Sequence, residues 1–504
     1  MSPVMSFPGA EPQIARKLAR LAEGATPRVL DLFAGCGGLS LGFQRAGFKI
    51  TASVEIDPDA SASHGSNFHP GDDRYSKARN ILQLSPERLT ASLGLGPPGL
   101  AFDVMVGGPP CQAFARVGRS KLREIADHPE AFTRDPRSQL YLEYLKYVRT
   151  LKPLALLIEN VPDVLNHGGQ NIAEEICEVL EQYGYVARYT LLNSAYYGVP
   201  QMRERMMLVA YRAELVQAVS FPTPTHWIEL PVGYRNSRHV ALKHVHDPQL
   251  FGAPSRYTEP PEPPADVRGA VTARAALEDL PPMVGHLRGE SRRGVRRLDE
   301  FVPYPETVAV SEFATEMRNW PGFSTLGGTT AHVTRHLPRD WRIFERMAPG
   351  DQYPEALEHS KKLFDEHWAT LDAAGAAPKP GEKEFAALRA QFVPPYDAGK
   401  FPNKWRKMEA DQPARTLMAH LGKDTYSHIH HDSQQARTIS VREAARLQSF
   451  PDGFVFRGAM NSAFRQIGNA VPPLLAAAVA ATMRKTLDRA VASFADDPLR
   501  RAAG

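Results

Sequence analysis

Short apolar runs alternate with helical patterns between residue 28 and about residue 215, and this alternation restricts the fold more than any other feature of the chain. The helical stretches include Leu39–Ala46, Gln139–Thr150 and Ile172–Tyr183. The strand candidates are Val29–Phe33, Ile50–Val54, Asp103–Val106, Leu154–Ile158, Val186–Leu192 and Met206–Ala210. Such alternation predicts an α/β fold, in which helices wrap a parallel sheet and ligands bind at the carboxyl ends of the strands.

A change in composition marks a second region of the chain. Proline becomes frequent from Phe221 to about Lys400 and the alternation is lost, apart from a helical piece at about Pro354–Ala373. Helical patterns return at Val441–Ser449 and Leu474–Leu487. We therefore expect an N-terminal extension (1–27), a first α/β part (28–220), a smaller irregular domain (221–400), a return to the α/β domain (401–490) and a C-terminal tail (491–504).

Length, charge and cysteine content restrict the class of protein. A chain of 504 residues is long enough for two or three domains, and its net charge of +4 permits a nucleic-acid partner without demanding one. The three cysteines, Cys36, Cys111 and Cys177, argue against a disulfide framework and for a reducing compartment, which predicts a cytoplasmic location. No apolar run approaches the length of a membrane-spanning helix, so we expect no membrane partner.

A glycine-rich turn follows the first strand and begins a helix, at Asp31–Phe43. Glycines at such a turn allow the backbone to approach a ligand closely. Glu55 ends the next strand, about where a nucleotide-binding fold places a carboxylate on ribose hydroxyls. The pattern favours a nucleoside cofactor but does not separate NAD from S-adenosylmethionine. A simple tight turn and a solvated carboxylate are the structural alternatives.

Three further segments place reactive side chains near strand ends. Cys111 follows two prolines after the third strand, a rigid setting that favours a reactive thiolate over a buried structural cysteine. Glu159 ends the fourth strand, on the same sheet edge, where a carboxyl group can protonate or hydrogen-bond a substrate under attack. Arg203 and Arg205 precede the last strand and suit bidentate contact with phosphate or a carbonyl edge, the alternative being a solvent-facing strand end.

These blocks, in this order, resemble the C5-specific DNA cytosine methyltransferases of bacterial type. The matching segments are Asp31-Leu-Phe-Ala-Gly-Cys-Gly-Gly38, Glu55, Gly108-Pro-Pro-Cys-Gln112, Glu159-Asn-Val161, Gln201-Met-Arg-Glu-Arg205, Arg437 to Pro451 and Gln466-Ile-Gly-Asn-Ala-Val-Pro-Pro473. The resemblance covers roughly residues 28–215 and 411–490. It implies a Rossmann-like methyltransferase sheet that uses S-adenosylmethionine, with a target-recognition domain at 221–400.

The resemblance also implies the residues of the cofactor site. Glu55 would hold the ribose and Ile56 would stack near adenine, while Asn80 stands where the family usually has an aspartate that meets the adenine amine. The other cofactor residues implied are Phe33, Ala34, Gly35, Gly37, Gly38, Leu39, Ile81, Gly108, Pro109, Leu140, Asn469 and Val471.

The implied chemistry begins when the Cys111 thiolate attacks carbon 6 of a flipped-out cytosine. Glu159 would bond ring N3, and Arg205, supported by Arg203, would hold the base carbonyl and a phosphate. The expected DNA contacts are Gln112 and Gln201, together with Arg292, Arg293, Arg296 and Arg297 of the very basic stretch His286–Arg297, for which a solvated face is the alternative. The partner expected is double-stranded DNA, read by a monomer, with restriction or phage-defence proteins as possible associates.

Two other functions stay open at this point. The same chemistry on RNA occurs in a compact branch of the family, whereas the long insert before residue 411 favours DNA. A non-catalytic DNA-binding relative would be expected to lose Cys111 or Glu159, and both are present. An amino-directed methyltransferase would carry an Asn/Asp/Ser-Pro-Pro-Tyr/Phe element, which Pro109-Pro110-Cys111 does not match.

His428–His431 lacks a matching set of metal ligands, so we expect no metal there.

Overall fold

The fold comes from a computed structural model that describes residues 11–110, 136–167, 170–243, 245, 255–290 and 296–496. The chain divides into two compact units, one formed by Met1–Ala270 with Ala470–Gly504 and the other by Val271–Asn469. The domain boundaries expected at residues 221, 401 and 491 differ from these, and the assignment of the expected domains to recognition and catalysis stays a prediction.

Helices and strands occur in both units. In chain order, the helices are α1 (Pro12–Ala22), α2 (Gly38–Arg45), α3 (Pro58–Phe68), α4 (Pro86–Leu93), α5 (Pro98–Ala101), α6 (Pro136–Leu151), α7 (Ile172–Gln182), α8 (Val232–Leu242), α9 (Ala273–Leu277), α10 (Glu312–Arg318), α11 (Trp341–Arg346), α12 (Tyr353–Ala373), α13 (Lys383–Ala390), α14 (Val441–Leu447), α15 (Met460–Asn469) and α16 (Pro473–Ala495). The strands are β1 (Arg28–Leu32), β2 (Lys49–Val54), β3 (Val104–Gly107), β4 (Ala155–Asn160), β5 (Tyr185–Asn193), β6 (Gln201–Met202), β7 (Glu204–Arg212), β8 (His226–Trp227), β9 (Arg268–Gly269), β10 (Val302–Pro303), β11 (Gly328–Thr329) and β12 (Ala414–Arg415). Short 3-10 helices include Ile81–Gln83, Pro162–Asn166 and Ser194–Tyr197.

A six-stranded sheet in the order β2-β1-β3-β4-β7-β5 forms the centre of the first unit. All six predicted strands are present, each within two residues of its expected bounds, and the α/β class is confirmed. The expectation of a wholly parallel sheet is wrong, because β7 runs antiparallel to both β4 and β5. The connection from β5 to β7 holds only a 3-10 turn and β6, and it is too short for the crossover that a parallel strand requires.

Alternating side chains of the sheet bury both of its faces. On one face Leu30, Met105 and Ile158 pack in a cluster that includes residues of α6 and α7. On the other face Val29 and Val106 pack with residues of α1, α2 and α16. Buried on both sides, these strands are apolar runs of the kind found in α/β sheets.

The second unit is irregular between short elements. Its expected helix is present as α12. The described part of the unit contains five helices between Ala273 and Ala390, and further helices begin at Val441 and Met460. The expectation of one helical piece is therefore an underestimate. Its apolar cluster includes Phe344, Tyr353 and Trp405.

One stretch of the described residues, Met460–Ala495, is long and apolar enough by composition to cross a membrane. In this stretch 72% of the most apolar window is buried inside the protein, as in the core helix of a globular domain. Length and composition alone are therefore weak evidence for a membrane span.

Candidate active site

Four neighbouring strands end in one row at the carboxyl edge of the sheet. The register pairs Leu32 with Val54 on one side and with Gly107 on the other, and it pairs Gly107 with Ile158. The residues that follow this row are Phe33, Glu55, Gly108 and Glu159. Their segments, far apart in the sequence, therefore meet along one edge, where open α/β sheets bind ligands.

The glycine-rich turn after β1 needs its glycines for two different reasons. Gly37 has a φ of 107°, and a Cβ there would lie 2.4 Å from the ring of Phe68. A Cβ on Gly38 would lie 2.2 Å from the carbonyl oxygen of Val471, so the segment before α16 packs directly on the start of α2. At Gly35, by contrast, a Cβ would meet no described atom within 4 Å, which leaves open space above the turn.

The Glu55 carboxylate ties this turn to the end of β2. Its two oxygens accept hydrogen bonds from the backbone N–H groups of Gly35 and Asp57, each at 2.8 Å. Burial raises the pKa of Glu55, although these hydrogen bonds oppose the shift. The next side chain, Ile56, is 64% exposed, so an apolar surface stands beside the carboxylate at the sheet edge.

Asn80 lies close to the same strand end through its neighbour. The backbone N–H of Arg79 donates to the Glu55 carbonyl at 2.6 Å, and Asn80 Oδ1 caps the 3-10 helix by accepting from Leu82 N at 3.0 Å. Ile81 is buried in the core. The contacts of Asn80 and Ile81 with a cofactor stay predictions.

A chain of buried polar side chains runs beneath the glycine-rich turn, and no motif in the sequence signals it. Ser40 Oγ donates to Asp31 Oδ2 at 2.7 Å and lies 3.0 Å from His64 Nε2. His64 Nδ1 lies 3.1 Å from Ser53 Oγ. Burial raises the pKa of Asp31 to about 7 and lowers the pKa of His64 to about 3. This row of polar side chains connects β1, α2, α3 and β2 below the candidate cofactor site.

Glu159 and Arg205 form an ion pair at the same edge, with Arg205 Nε 2.7 Å from Glu159 Oε1. Both side chains are largely buried. Arg205 reaches this edge because β7 is antiparallel, so its first residues lie opposite the last residues of β4. Burial lowers the pKa of Arg205, and Glu159 opposes that shift.

Asn160 makes a contact at this edge that the sequence reasoning missed. Its side-chain amide donates to the carbonyl of Pro109 at 2.8 Å, and its Oδ1 accepts from Val161 N at 2.9 Å. A Cβ on Gly108 would lie 2.8 Å from Glu159 Oε2. The segment that leads to Cys111 is thus held against the end of β4.

Gln201 and Arg203 are buried, with 0% and 1% of their surfaces exposed, so the alternative of a solvent-facing strand end does not hold for this segment. Burial lowers the pKa of Arg203. The carbonyl of Arg203 accepts hydrogen bonds from the backbone N–H of Ser194 at 2.8 Å and from its hydroxyl at 2.9 Å. Direct contact between Gln201 and DNA stays a prediction.

The remaining predicted residues lie in several places. Leu140 is half-buried on α6, and Asn469 is exposed at the end of α15. Arg297 is exposed and pairs with Asp299 at 3.2 Å. Phe33, Ala34 and Leu39 lie in or beside the glycine-rich turn, and Arg296 is partly buried. Cys111, Gln112, Arg292 and Arg293 lie outside the described residues. The other two cysteines, Cys36 and Cys177, are fully buried, as expected of core residues.

The His428–His431 segment forms internal contacts. His428 Nε2 lies 3.2 Å from the carbonyl oxygen of Arg415, and His430 Nε2 lies 3.5 Å from Glu443. Among the residues that the structure describes, there is no group of three or more metal-ligating side chains.

The fold is Rossmann-like, and this edge is its candidate active site. A crystal structure of a putative DNA modification methyltransferase encoded within an E. coli prophage has the same fold, with a TM-score of 0.56 over 92% of this chain and 100% of that one, at 20% identity. The family model for C-5 cytosine-specific DNA methylase matches residues 27–249 and 342–485. The chain belongs to this family and is therefore an enzyme of this class, a membership that implies S-adenosylmethionine as methyl donor and DNA as substrate.

Curated relatives agree with this assignment. The putative type II methyltransferase M.OihORF3336P of Oceanobacillus iheyensis is 37% identical over 92% of this chain and 96% of its own length. The type II methyltransferase M.AgeI of Thalassovita gelatinovora is 32% identical over 91% and 99%. The DNA (cytosine-5)-methyltransferase 1 of Mus musculus is 28% identical over 93% of this chain, which corresponds to 28% of that longer protein.

Proposed function

We propose that this enzyme methylates carbon 5 of a flipped-out cytosine within one specific sequence of double-stranded DNA, as the modification partner of a bacterial restriction or phage-defence system. The observation that carries the proposal is the single sheet edge shared by the glycine-rich turn, Glu55 and the Glu159–Arg205 pair. The type II names of the curated relatives support the restriction-modification setting. We infer that the enzyme acts as a monomer in the cytoplasm.

The residues at this edge suit S-adenosylmethionine. The open space above Gly35 leaves room for the methionine part, and the Glu55 carboxylate beside it has the chemistry to accept from ribose hydroxyls. The exposed side chain of Ile56 offers an apolar surface to adenine. Val471, which packs on Gly38, would close the site from the C-terminal segment, with Asn469 nearby in the sequence. The bound cofactor supplies an electrophilic methyl group.

The protein must activate the cytosine, since carbon 5 is a weak nucleophile. The Cys111 thiolate would add to carbon 6, which places electron density on carbon 5, while the Glu159 carboxyl hydrogen-bonds ring N3 and offsets the negative charge that develops on the ring. Carbon 5 then accepts the methyl group. Loss of the carbon-5 proton to a base and departure of the thiolate from carbon 6 restore the aromatic ring. The Asn160 bond to the Pro109 carbonyl would fix the approach of the cysteine segment.

Arg205 would position Glu159 and bind the base at once. A guanidinium presents several N–H donors in one plane, so it can keep Glu159 with Nε while other donors face the cytosine carbonyl or a phosphate. Burial of this pair strengthens the interaction, because little water competes for it. Arg203, buried behind it, would support the turn.

The segment 221–400 would recognise the DNA sequence. It is irregular and lies between the two parts that match the other methyltransferase motifs, and variable recognition is commonly placed on such loops. Arginines that contact phosphate would set affinity, and side chains that reach base edges would set the sequence.

Bisulfite sequencing of DNA from cells that express the chain tests the proposal. The expected result is methylated cytosine at one sequence motif in cells with the wild-type protein and none with Cys111→Ala. Cys177→Ala is the matched control, since Cys177 is buried on α7, and it should retain methylation. Wild-type protein that is folded and binds S-adenosylmethionine but leaves the DNA unmethylated would contradict the proposal.

A further inference from the structure

Leu326 is the most exposed large apolar side chain among the residues that the structure describes. It is 92% exposed, at the tip of a loop that ends in two glycines. Apolar surface in water is unfavourable, although single exposed leucines are common on protein surfaces. A single exposed leucine on a mobile tip would carry little weight, but this loop is firmly held.

Hydrogen bonds fix the loop on both sides of Leu326. Before it, Thr325 N donates to the carbonyl of Arg318 at 2.9 Å, and Thr325 Oγ1 lies 3.1 Å from the Tyr304 hydroxyl. After it, the carbonyl of Gly327, which has a φ of 74°, accepts from Tyr304 N at 2.9 Å. The leucine is therefore presented outward by a closed frame.

A buried ionic cluster forms the base of this frame. Arg446 pairs with Asp279 at 3.0 Å and with Asp452 at 2.5 Å, and Arg318 also pairs with Asp279 at 2.6 Å. The Tyr304 hydroxyl donates to Asp452, and the guanidinium of Arg318 lies 3.6 Å from the centre of the Tyr304 ring. The same two residues that hold Thr325 are thus anchored in the interior of the unit.

A second exposed apolar side chain extends the tip into a ridge. Phe301 is 58% exposed, and a Cβ on Gly328 would lie 2.5 Å from its ring. Gly328 pairs with Pro303 in the short two-stranded sheet, so the phenylalanine lies over the strand that follows Leu326. We call Phe301 and Leu326 the apolar ridge.

The sequence just before the apolar ridge carries a net positive charge. The stretch His286–Arg297 contains five arginines and one glutamate, and two carboxylates, Asp299 and Glu300, lie between it and Phe301. Arg297 and Arg457 both lower the pKa of the exposed carboxyl of Asp299, Arg297 foremost through its hydrogen bond, so both guanidinium groups lie near Asp299, two residues before Phe301. An apolar projection with positive flanks complements a duplex, whose phosphates are negative and whose interior is stacked and apolar.

We propose that the apolar ridge is a wedge, in which Leu326 enters duplex DNA between two stacked base pairs while the flanking arginines bind the phosphates. Leucine and phenylalanine are among the side chains that unstack base steps in this way. A base step unstacked next to a flipped base lowers the work of flipping, because one stacking contact is already broken. The inference rests on the proposed function, since it needs DNA as the substrate.

Fluorescence of 2-aminopurine tests the wedge. The base analogue brightens when it loses its stacking partner, and it is placed at one non-target position at a time within and beside the site found by bisulfite mapping. The proteins are wild type, Leu326→Ala, Leu326→Met and Val310→Ala, the last being a control because Val310 is another exposed aliphatic residue of the same unit. Unchanged thermal unfolding of each variant confirms that the exposed substitution leaves the fold intact.

The wedge predicts brightening at one or more non-target positions with wild type, Leu326→Met and Val310→Ala, and its loss with Leu326→Ala. Leu326→Ala should also bind the duplex about tenfold more weakly, the scale of one buried leucine side chain. Equal brightening with Leu326→Ala, or none with any protein, would overturn the wedge. Weaker binding without a change in brightening would also overturn it, in favour of a simple surface contact. A wild-type protein that methylates no DNA is a failure of the proposed function, and bisulfite mapping reveals that separately.

Discussion

Replacing Glu55 by glutamine removes one charge and converts one oxygen of the carboxylate into an amide nitrogen. In the protein each oxygen accepts one backbone N–H at 2.8 Å, from Gly35 and from Asp57. The side-chain oxygen of glutamine can accept from only one of these two N–H groups. The amide nitrogen, itself a donor, then faces the other N–H group. Any ribose hydroxyl that donates to the carboxylate loses its charged acceptor as well.

The two consequences of Glu55→Gln differ in size. Loss of a hydrogen bond to a buried group costs roughly 1–3 kcal/mol of folding free energy. Burial already disfavours the charged carboxylate, as its raised pKa indicates, so a neutral side chain recovers part of that cost. We expect the free energy of unfolding to fall by about 1 kcal/mol. The affinity for S-adenosylmethionine should fall by about 2–3 kcal/mol, roughly 30- to 150-fold, because the charge-assisted bonds to ribose have no replacement.

Isothermal calorimetry with S-adenosylmethionine and urea unfolding measure these two quantities on the same preparations. Glu87→Gln on α4 is the control for cofactor binding, since that carboxylate is exposed, and it should leave the affinity for S-adenosylmethionine unchanged. The pH adds a check of sign. Because the folded pKa of Glu55 is raised, affinity of the wild type should weaken as the pH falls through a value above the ordinary 4.5, whereas Glu55→Gln should lack that step. Unchanged affinity in Glu55→Gln would refute the assignment of the ribose to this carboxylate.

Three other changes test separate parts of the protein. Asp31 has a folded pKa of about 7 against an ordinary 3.8, so between these two pH values the folded state holds a proton that the unfolded state has lost. The free energy of unfolding therefore falls as the pH rises from 3.8 to about 7, by at most about 4 kcal/mol. Asp31→Asn should flatten that slope in urea unfolding at about pH 5 and about pH 8.5, and an unaltered slope would contradict the pKa. Arg205→Lys should lower kcat about a hundredfold, the scale of one lost transition-state donor, because Glu159 and the base lose a planar partner, while cofactor affinity changes little. Single-turnover kinetics measure the loss of rate, and a change confined to cofactor binding would remove Arg205 from the base site. Arg296→Ala with Arg297→Ala should weaken DNA binding and flatten the salt dependence by about one unit per lost phosphate contact while the methylated motif stays the same; a changed motif would mean that these arginines read bases.

The sheet was predictable from the sequence because each buried strand is a short apolar run with helical patterns between. The direction of β7 was not, since strand composition does not encode direction. Only the short connection after Asn193 shows that β7 must return antiparallel. This direction matters for the site, because it brings Arg205 opposite the end of β4.

The candidate site was predictable where a motif ends a strand, as at Glu55 and Glu159. Residues that act through others carry no such signal. His64 and Ser53 look like ordinary polar residues in the sequence, yet they complete the buried chain to Asp31. Leu326 is likewise one leucine in a glycine-rich loop, and only the hydrogen-bonded frame around it reveals that it is held outward.

Trapping of the covalent intermediate on DNA tests the central claim most directly. A duplex that carries 5-fluorocytosine at the mapped target is incubated with the enzyme and S-adenosylmethionine, because fluorine at carbon 5 cannot leave as a proton and the adduct persists. The chemistry proposed for Cys111 predicts a denaturation-resistant protein–DNA complex with wild type, in which mass spectrometry finds the base attached to the peptide that contains Cys111, and no complex with Cys111→Ala. An adduct on another residue, or an equal yield of complex from Cys111→Ala, would contradict it.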